Sequence, residues 1–157
     1  MANPLIRVYA DTSVYGGVFD DEFAHVSQVL FRQVREGRIL LVVSEVVEQE
    51  LVPAPNQVRE FFAQMEPRSE FVELTEHAFG VRDAYIKEGI VSKKSMADAL
   101  HVALATISHC PILVSWNCKH IVHFDKIPRY NAVNVAMGYS PLGIHTPAEV
   151  IAYEEDV

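Results

Sequence analysis

Short apolar runs alternate along the chain with longer segments whose apolar residues recur every three or four positions. Continuous aliphatic runs are typical of parallel strands buried on both faces, whereas the longer spacing indicates helices with one buried face. The runs predict strands at residues 5–10, 39–43, 70–74, 112–115 and 142–145. The longer spacing predicts helices at residues 22–36, 45–51, 57–65 and 76–87.

Two further helices are predicted from their start and stop signals. One begins at Ser95, where Ser95 and Asp98 match a capping box, and it ends before Cys110-Pro111. The other is short and opens with Thr146-Pro147, because proline is tolerated in a first helical turn. Thr75 is the expected cap of the helix at 76–87. The glycines at 37 and 89 are expected to end the helices before them.

Strands separated by helices predict a parallel sheet with right-handed crossovers and helices on both faces. We therefore expect an α/β three-layer sandwich of about five strands. The length of 157 residues fits a single domain spanning 1–157. Since ligands bind beyond the carboxyl ends of parallel strands, Asp11 and the segments after Val43 and Val114 should lie along one edge.

Composition narrows the class of protein. Half of the residues are hydrophobic and 22% are charged, a globular profile. The longest aliphatic run, residues 39–43, is too short to span a bilayer. Cys110 and Cys118 match neither a zinc-ligand nor a CxxC pattern. We therefore expect a cytoplasmic protein with free thiols. A net charge of −8 ordinarily counts against a nucleic-acid partner, but divalent cations held by converging acids can reverse the local field.

Two aspartates stand at the ends of buried elements. Asp11 directly follows the first strand, where it is either a turn or cap residue or part of a site. A phosphatase of the haloacid-dehalogenase type would need a second aspartate at position 13, where Ser13 stands. Asp98 lies near the start of an apolar helix, where capping and metal binding are both open. His101, one turn later, either approaches the same cleft or fills a core position.

Further polar residues follow the other two strands. Glu45, Glu48 and Glu50 come after the second strand, and residue 50 is rotated well away from residue 45 on a helix, so only part of this group can meet Asp11. Asn117 follows the fourth strand, as a neutral oxygen ligand or as a turn residue.

The order of these motifs resembles the PIN-domain family, and within it the VapC-type toxin ribonucleases of toxin–antitoxin pairs. Four segments carry the resemblance: Val8-Tyr-Ala-Asp11-Thr-Ser13, Val43-Ser44 through Glu50-Leu51, Ala97-Asp98-Ala-Leu-His101, and Leu113-Val-Ser-Trp-Asn117. With the segment Tyr130-Asn-Ala-Val-Asn134 the resemblance covers most of the chain.

The resemblance implies a metal-dependent endoribonuclease that hydrolyses RNA phosphodiester bonds. It implies that Asp11 and Asp98 hold Mg²⁺ or Mn²⁺ and that Glu50 is the helix acid of the site, with Glu45 as a rival. Asn117 takes the position of a fourth acid, so one negative charge of the common pattern is missing. The resemblance also implies an antitoxin partner and a homodimer. A competing interpretation, favoured by Asn117, is a weakly active or inactive PIN-like module that binds RNA or protein.

Overall fold

A computed structural model describes residues 5–153. They contain a five-stranded sheet in the order β3-β2-β1-β4-β5, and every neighbouring pair of strands is parallel. The strands are β1 (Ile6–Ala10), β2 (Ile39–Ser44), β3 (Glu70–Val72), β4 (Ile112–Val114) and β5 (Gly143–His145). All five predicted strands are present, each within two residues of its expected bounds.

Helices connect and flank the strands of this sheet. They are α1 (Thr12–Gly17), α2 (Ala24–Arg35), α3 (Glu45–Leu51), α4 (Asn56–Met65), α5 (Glu76–Lys87), α6 (Met96–Ile107), α7 (Ile127–Ala136) and α8 (Pro147–Val150). Short 3-10 turns at Glu66–Arg68 and Lys93–Ser95 precede β3 and α6. The predicted α/β three-layer sandwich is confirmed.

The register of the central strands sets the position of the functional edge. Ala10, the last residue of β1, pairs with Val114, the last residue of β4. The Asp11 N–H continues this ladder by donating to the Val114 carbonyl at 3.2 Å. The turns after β1 and β4 therefore begin side by side, and Asp11 lies directly against the segment that follows β4.

Most predicted helix boundaries follow from local chemistry. Ser44 and Thr75 cap α3 and α5, with their side chains accepting from the N–H groups of Val47 and Ala78. Gly37 and Gly89 follow α2 and α5 with φ of +76° and +73°, the left-handed conformation in which glycine commonly ends a helix.

The capping box predicted at Ser95 and Asp98 is not formed. Ser95 does precede α6, but its side chain accepts no hydrogen bond from the first turn. The 3-10 turn before α6 gives Ser95 a ψ of 30° instead of the extended backbone that an N-cap residue normally adopts. Asp98 is therefore not occupied as a capping partner.

Helix α1 was not predicted, because its six residues include Gly16 and Gly17 and give no helical period. Asp11 starts this helix by accepting the Ser13 N–H. A Cβ on Gly17 would lie 2.7 Å from the Ser27 hydroxyl, so only glycine fits where α1 meets α2.

Helix α7 was also not predicted, because its buried side chains include polar ones. Tyr130 and Asn134 are fully buried, and the Asn134 amide oxygen accepts from the Tyr85 hydroxyl of α5. The helix is held by this buried polar contact as much as by an apolar stripe.

Between residues 5 and 153 no helix combines the length and the hydropathy that a bilayer crossing needs.

A pair of glutamates joins α3 to the turn before β3. Glu66 Oε2 is enclosed, and within the described part of the chain it accepts no hydrogen bond from an N–H or hydroxyl donor. A hydrogen bond with Glu48, together with burial and the Glu48 charge, raises the pKa of Glu66 to about 7. Ionisation of Glu66 is therefore less favourable in the folded protein than in the unfolded chain.

This pair predicts a pH-dependent stability. The raised pKa stabilises the protein while Glu66 is protonated, and that contribution is lost as the pH rises through about 7. Glu66→Gln should therefore gain stability relative to the wild type at pH 8 and less at pH 5.5, measured by urea unfolding at both values. Glu60→Gln, at an exposed position of α4, is the control and should show no such difference. An equal effect of Glu66→Gln at both pH values would contradict the prediction.

Candidate active site

Asp11 is the buried centre of the functional edge. It follows β1, is 4% exposed, and acts as the N-cap of α1. One carboxylate oxygen, Oδ1, accepts from the backbone N–H and the hydroxyl of Ser13, at 3.2 and 2.5 Å. The other, Oδ2, accepts from the Ser115 hydroxyl at 2.7 Å. Four lone-pair positions are available on a carboxylate, so three are filled and one on Oδ2 remains.

The two serines around Asp11 also fasten the turn after β4. Ser13 Oγ accepts the Trp116 N–H at 3.0 Å, and Ser115 Oγ accepts the Asn117 N–H at 2.9 Å. The serine at position 13 thus orients Asp11 and the turn after β4. Ser13 is also the residue that counts against a phosphatase of the haloacid-dehalogenase type, which would need an aspartate at this position.

Glu50 is the glutamate of α3 that reaches the neighbourhood of Asp11. Its Oε1 accepts from the Thr12 hydroxyl at 2.9 Å and forms a hydrogen bond with Nε2 of His101. Glu45, the rival, instead accepts the Leu74 N–H at 3.1 Å, beyond the edge strand β3. The structure therefore brings Glu50, and not Glu45, to the residue beside Asp11.

Asp98 lies in the first turn of α6 and is partly exposed. Burial raises the pKa of Asp98, while the charges of His120 and His101 and a hydrogen bond with Asn117 lower it. The Glu50 charge adds to the increase in the pKa of Asp98. Asp98 therefore belongs to the same electrostatic cluster as Glu50 and interacts with Asn117, in the turn after β4.

Asn117 is a turn residue whose side-chain oxygen is already used. Its Oδ1 accepts the N–H groups of Lys119 and His120 at 3.2 and 2.9 Å. The hydrogen bond that lowers the pKa of Asp98 then leaves the amide N–H₂ of Asn117 as the donor. Of the two alternatives at this position, the turn role is the one that the geometry supports, and the amide partly compensates the Asp98 charge.

For His101 the sequence left two positions open, one in the cleft and one in the core. His101 is 2% exposed, and its Nδ1 lies 2.7 Å from the Tyr9 hydroxyl while its Nε2 contacts Glu50. The Tyr9 hydroxyl in turn lies 2.7 Å from the Ser44 hydroxyl. The only sequence signal for this role was the position of His101 one helical turn after Asp98.

Burial and charge act in opposite directions on these groups. Burial raises the pKa of Asp11. The charge of His101 and two serine hydrogen bonds lower it, the Glu50 charge raises it, and the net result is an increase. Burial alone would lower the pKa of His101, but the Glu50 hydrogen bond and the charges of Asp11, Glu50 and Asp98 raise it overall. For Glu50, burial raises the pKa, but the hydrogen bond and charge of His101, together with the Thr12 hydrogen bond, leave it lowered overall. His101 is thus the buried basic side chain on which all three carboxyl groups act.

The donor set suits a hard divalent cation but is not gathered around one point. Within residues 5–153 no three His, Cys, Asp or Glu side chains are close enough together to form a metal cluster. Asp11 and Glu50 nevertheless keep free lone pairs on Oδ2 and Oε2, and Mg²⁺ commonly takes only one or two carboxylates and retains water. Asp11, Asp98 and Glu50 are therefore the residues that could hold such an ion, and their side chains would have to draw together around it.

The chain matches known proteins by its structure and not by its sequence. No family model and no curated protein matches the sequence. Among solved structures, the VapBC2 complex of Rickettsia felis, bound to a DNA fragment from their promoter, matches with a TM-score of 0.57 and 16% identity over 90% of this chain and 98% of that one. FitAcB from Neisseria gonorrhoeae matches with a TM-score of 0.56 and 11% identity over 91% of this chain and 99% of that one. The chain therefore has the PIN-domain fold that its sequence predicts.

Proposed function

We propose that this protein is a divalent-metal-dependent ribonuclease and the toxin of a toxin–antitoxin pair. The observation that carries the proposal is that Asp11, Glu50 and Asp98 all act on one buried histidine, His101. One acid follows β1 and the other two lie in α3 and α6, and all three interact with the same buried histidine. Helix caps and solvated surface charges do not explain this arrangement. The likeness of the fold to toxin–antitoxin structures supports the biological role.

Unfavourable ionisation of the buried acids supports a metal ion at this site. The pKa values of Asp11 and Asp98 are raised, with burial as the largest cause and the Glu50 charge as a further one. A cation among these groups would remove that penalty and favour their ionised forms. Bound there, Mg²⁺ or Mn²⁺ supplies positive charge for the phosphoryl oxygens and lowers the pKa of an attacking water.

The protein's own groups then have separable roles. Asp11 is fixed by Ser13 and Ser115, so it holds its position with little loss of side-chain freedom on binding. Asp98 is more open and can meet the ion from the α6 side. Glu50 Oε2 makes no hydrogen bond within residues 5–153 and is able to accept one from water or to take up its proton.

An RNA substrate is supported by the distribution of charge around the edge. Although the chain has a net charge of −8, residues 90–126 contain four lysines and only two acids, Asp98 and Asp125. Lys93 and Lys94 precede the helix of Asp98, and Lys119 lies in the turn after β4, all three exposed. Lysines beside a hydrolytic centre attract backbone phosphates.

A binding module without nuclease activity is the second candidate. It is favoured by Asn117, which replaces an acid and points its amide, not a carboxylate, toward Asp98. The two candidates differ in metal-dependent cleavage, because a binding module cleaves no RNA whether or not a divalent cation is present.

We further propose an antitoxin that covers the acidic edge and a homodimer of the chain, both as the resemblance implies. The antitoxin is supported by the fold that this chain shares with the VapBC2 complex, since the sequence resembles the VapC-type toxins. Light scattering of the pure protein should give a mass about twice 17.6 kDa. Titration with a protein encoded beside this chain should inhibit cleavage; a monomeric mass, or cleavage unaffected by such a protein at saturation, would contradict these assignments.

Asp98→Asn should abolish metal-dependent RNA cleavage while preserving the fold. The amide keeps the size of the side chain but presents N–H₂ to the cation, and we expect a loss of at least about 100-fold in kcat, since weaker outer contacts already cost 10–100-fold. Cleavage of single-stranded RNA is measured with Mg²⁺, with Mn²⁺ and with EDTA. Asp83→Asn, an exposed position on α5, is the matched control and should retain full activity. Undiminished cleavage by the wild type in EDTA would refute the metal dependence.

Asn117→Asp should strengthen metal binding. Aspartate can keep accepting the N–H groups of Lys119 and His120 with one oxygen, and it replaces the amide near Asp98 by a second oxygen with negative charge. We expect a lower Kd for Mn²⁺ by several-fold, measured by calorimetry, and activity at lower Mg²⁺ concentrations. Asn56→Asp, exposed at the start of α4, adds the same charge elsewhere and should leave the Kd unchanged. Equal Kd values in Asn117→Asp and the wild type would show that position 117 lies outside the metal's reach.

A further inference from the structure

A continuous chain of hydrogen bonds runs from the start of α3 to Glu50 near the end of the same helix. The Val47 N–H donates to Ser44 Oγ, the Ser44 and Tyr9 hydroxyls are 2.7 Å apart, and Tyr9 lies 2.7 Å from Nδ1 of His101. His101 Nε2 then contacts Glu50. The chain leaves α3, crosses β1 and α6, and returns to α3.

The chemistry of the two ends gives this chain a direction. An ionised Glu50 can only accept, so Nε2 of His101 must carry a proton and donate it. In neutral His101 the other ring nitrogen, Nδ1, accepts from the Tyr9 hydroxyl. Tyr9 has a single proton, so the Ser44 hydroxyl donates to the Tyr9 oxygen while accepting from the Val47 N–H. Every donor in the chain is used once and every buried acceptor is satisfied.

Burial makes the arrangement rigid. Tyr9 and Ser44 are fully buried and His101 is 2% exposed, so water does not compete for these bonds. The Glu50 side chain is 36% exposed, and an exposed glutamate normally populates several rotamers. His101 and the Thr12 hydroxyl both hold Oε1, which fixes the carboxylate and leaves Oε2 free.

We propose that His101 is a positioning residue for Glu50, and that Tyr9 and Ser44 act through it by fixing the ring so that Nε2 is always presented to the carboxylate. This inference rests on the proposed function, because it assigns the hydrogen-bond chain a part in the same reaction. His101 touches no substrate in this role. It determines where the free oxygen of Glu50 stands relative to Asp11 and Asp98.

A purely structural histidine predicts different behaviour. Such a residue would contribute packing and hydrogen-bond energy to the fold, and its loss would lower stability whatever stands at position 50. A positioning residue acts through Glu50, so its effect on turnover disappears when Glu50 cannot function. The coupling between the two positions therefore distinguishes the roles.

The test is a double-mutant cycle on RNA cleavage by the full chain. His101→Leu should lower kcat about 10–100-fold with a smaller change in KM, the range found for residues that orient catalytic carboxylates or metal ligands. In a Glu50→Gln background the same change should alter kcat by no more than about twofold. His101→Gln, whose amide N–H can replace Nε2, should recover part of the loss. His77→Leu, an exposed histidine of α5, is the matched control.

Tyr9→Phe tests the remainder of the chain and protects the experiment against misfolding of the His101 variants. Removing one hydroxyl should lower kcat about fivefold, the scale of a single buried hydrogen bond. Tyr85→Phe removes a hydroxyl that is equally buried but bonded to Asn134 and Thr106, and it should leave kcat unchanged. Equal kcat values for Tyr9→Phe and the wild type would overturn the role of Tyr9 and Ser44.

A measurement independent of turnover examines the contact itself. In ¹⁵N-histidine NMR spectra, Nε2 of His101 should be protonated in the wild type, and its resonance should shift in Glu50→Gln but not in Glu60→Gln. Independent, additive losses in the cycle, or an Nε2 resonance that ignores Glu50→Gln, would overturn the inference. Absence of RNA cleavage by the wild type would instead refute the proposed nuclease, while the NMR result would still decide whether His101 orients Glu50.

Discussion

The hydrogen-bonded carboxylate of Asp11 connects the fold to its candidate chemistry. It terminates the central strand, starts α1, and binds the serine that follows β4. These contacts require a buried anion at the middle of the sheet edge, where burial makes ionisation unfavourable. The arrangement of the other polar groups around the edge follows from the need to stabilise that charge.

His101 meets this need from the opposite layer. Burial alone would lower the pKa of His101, but three carboxyl groups raise it above its ordinary value. The same ring contacts Glu50 directly, so compensation of charge and orientation of a side chain are combined in one residue. The cost is a fully engaged polar network in the interior, which is stable only because each donor and acceptor in it has a partner.

Asn117 makes this edge less acidic than the common PIN-domain pattern, which has a fourth acid at this position. It is also the residue on which the choice between a ribonuclease and a binding module depends. With the amide near Asp98, the edge carries three carboxylates and a neutral group. That number suffices for one hard cation that keeps much of its water, and it makes a second ion harder to hold. The PIN-domain fold by itself is compatible with both uses, since function depends on the site and not on the architecture.

Aliphatic runs, helical spacing and helix start signals predict all five strands and six of the eight helices of the described chain, because burial and capping impose these local patterns. The sequence also indicates Asp11 and Asp98 as candidate site residues, since acids at the ends of apolar elements are conspicuous. It gave no sign of α1 or α7, which depend on a buried cap and a buried Asn134. It left Glu45 and Glu50 unresolved and proposed a capping box at Ser95 that the backbone does not permit. Three features of the site follow only from the packed structure. Glu50 is the glutamate that contacts Thr12 and His101, the Asn117 oxygen is used within its own turn, and Tyr9 and Ser44 support His101. The contacts of Glu50 and Tyr9 join residues from 35 to 92 positions apart, and their geometry arises from the packing of β1, β2, α3 and α6, which no local pattern encodes.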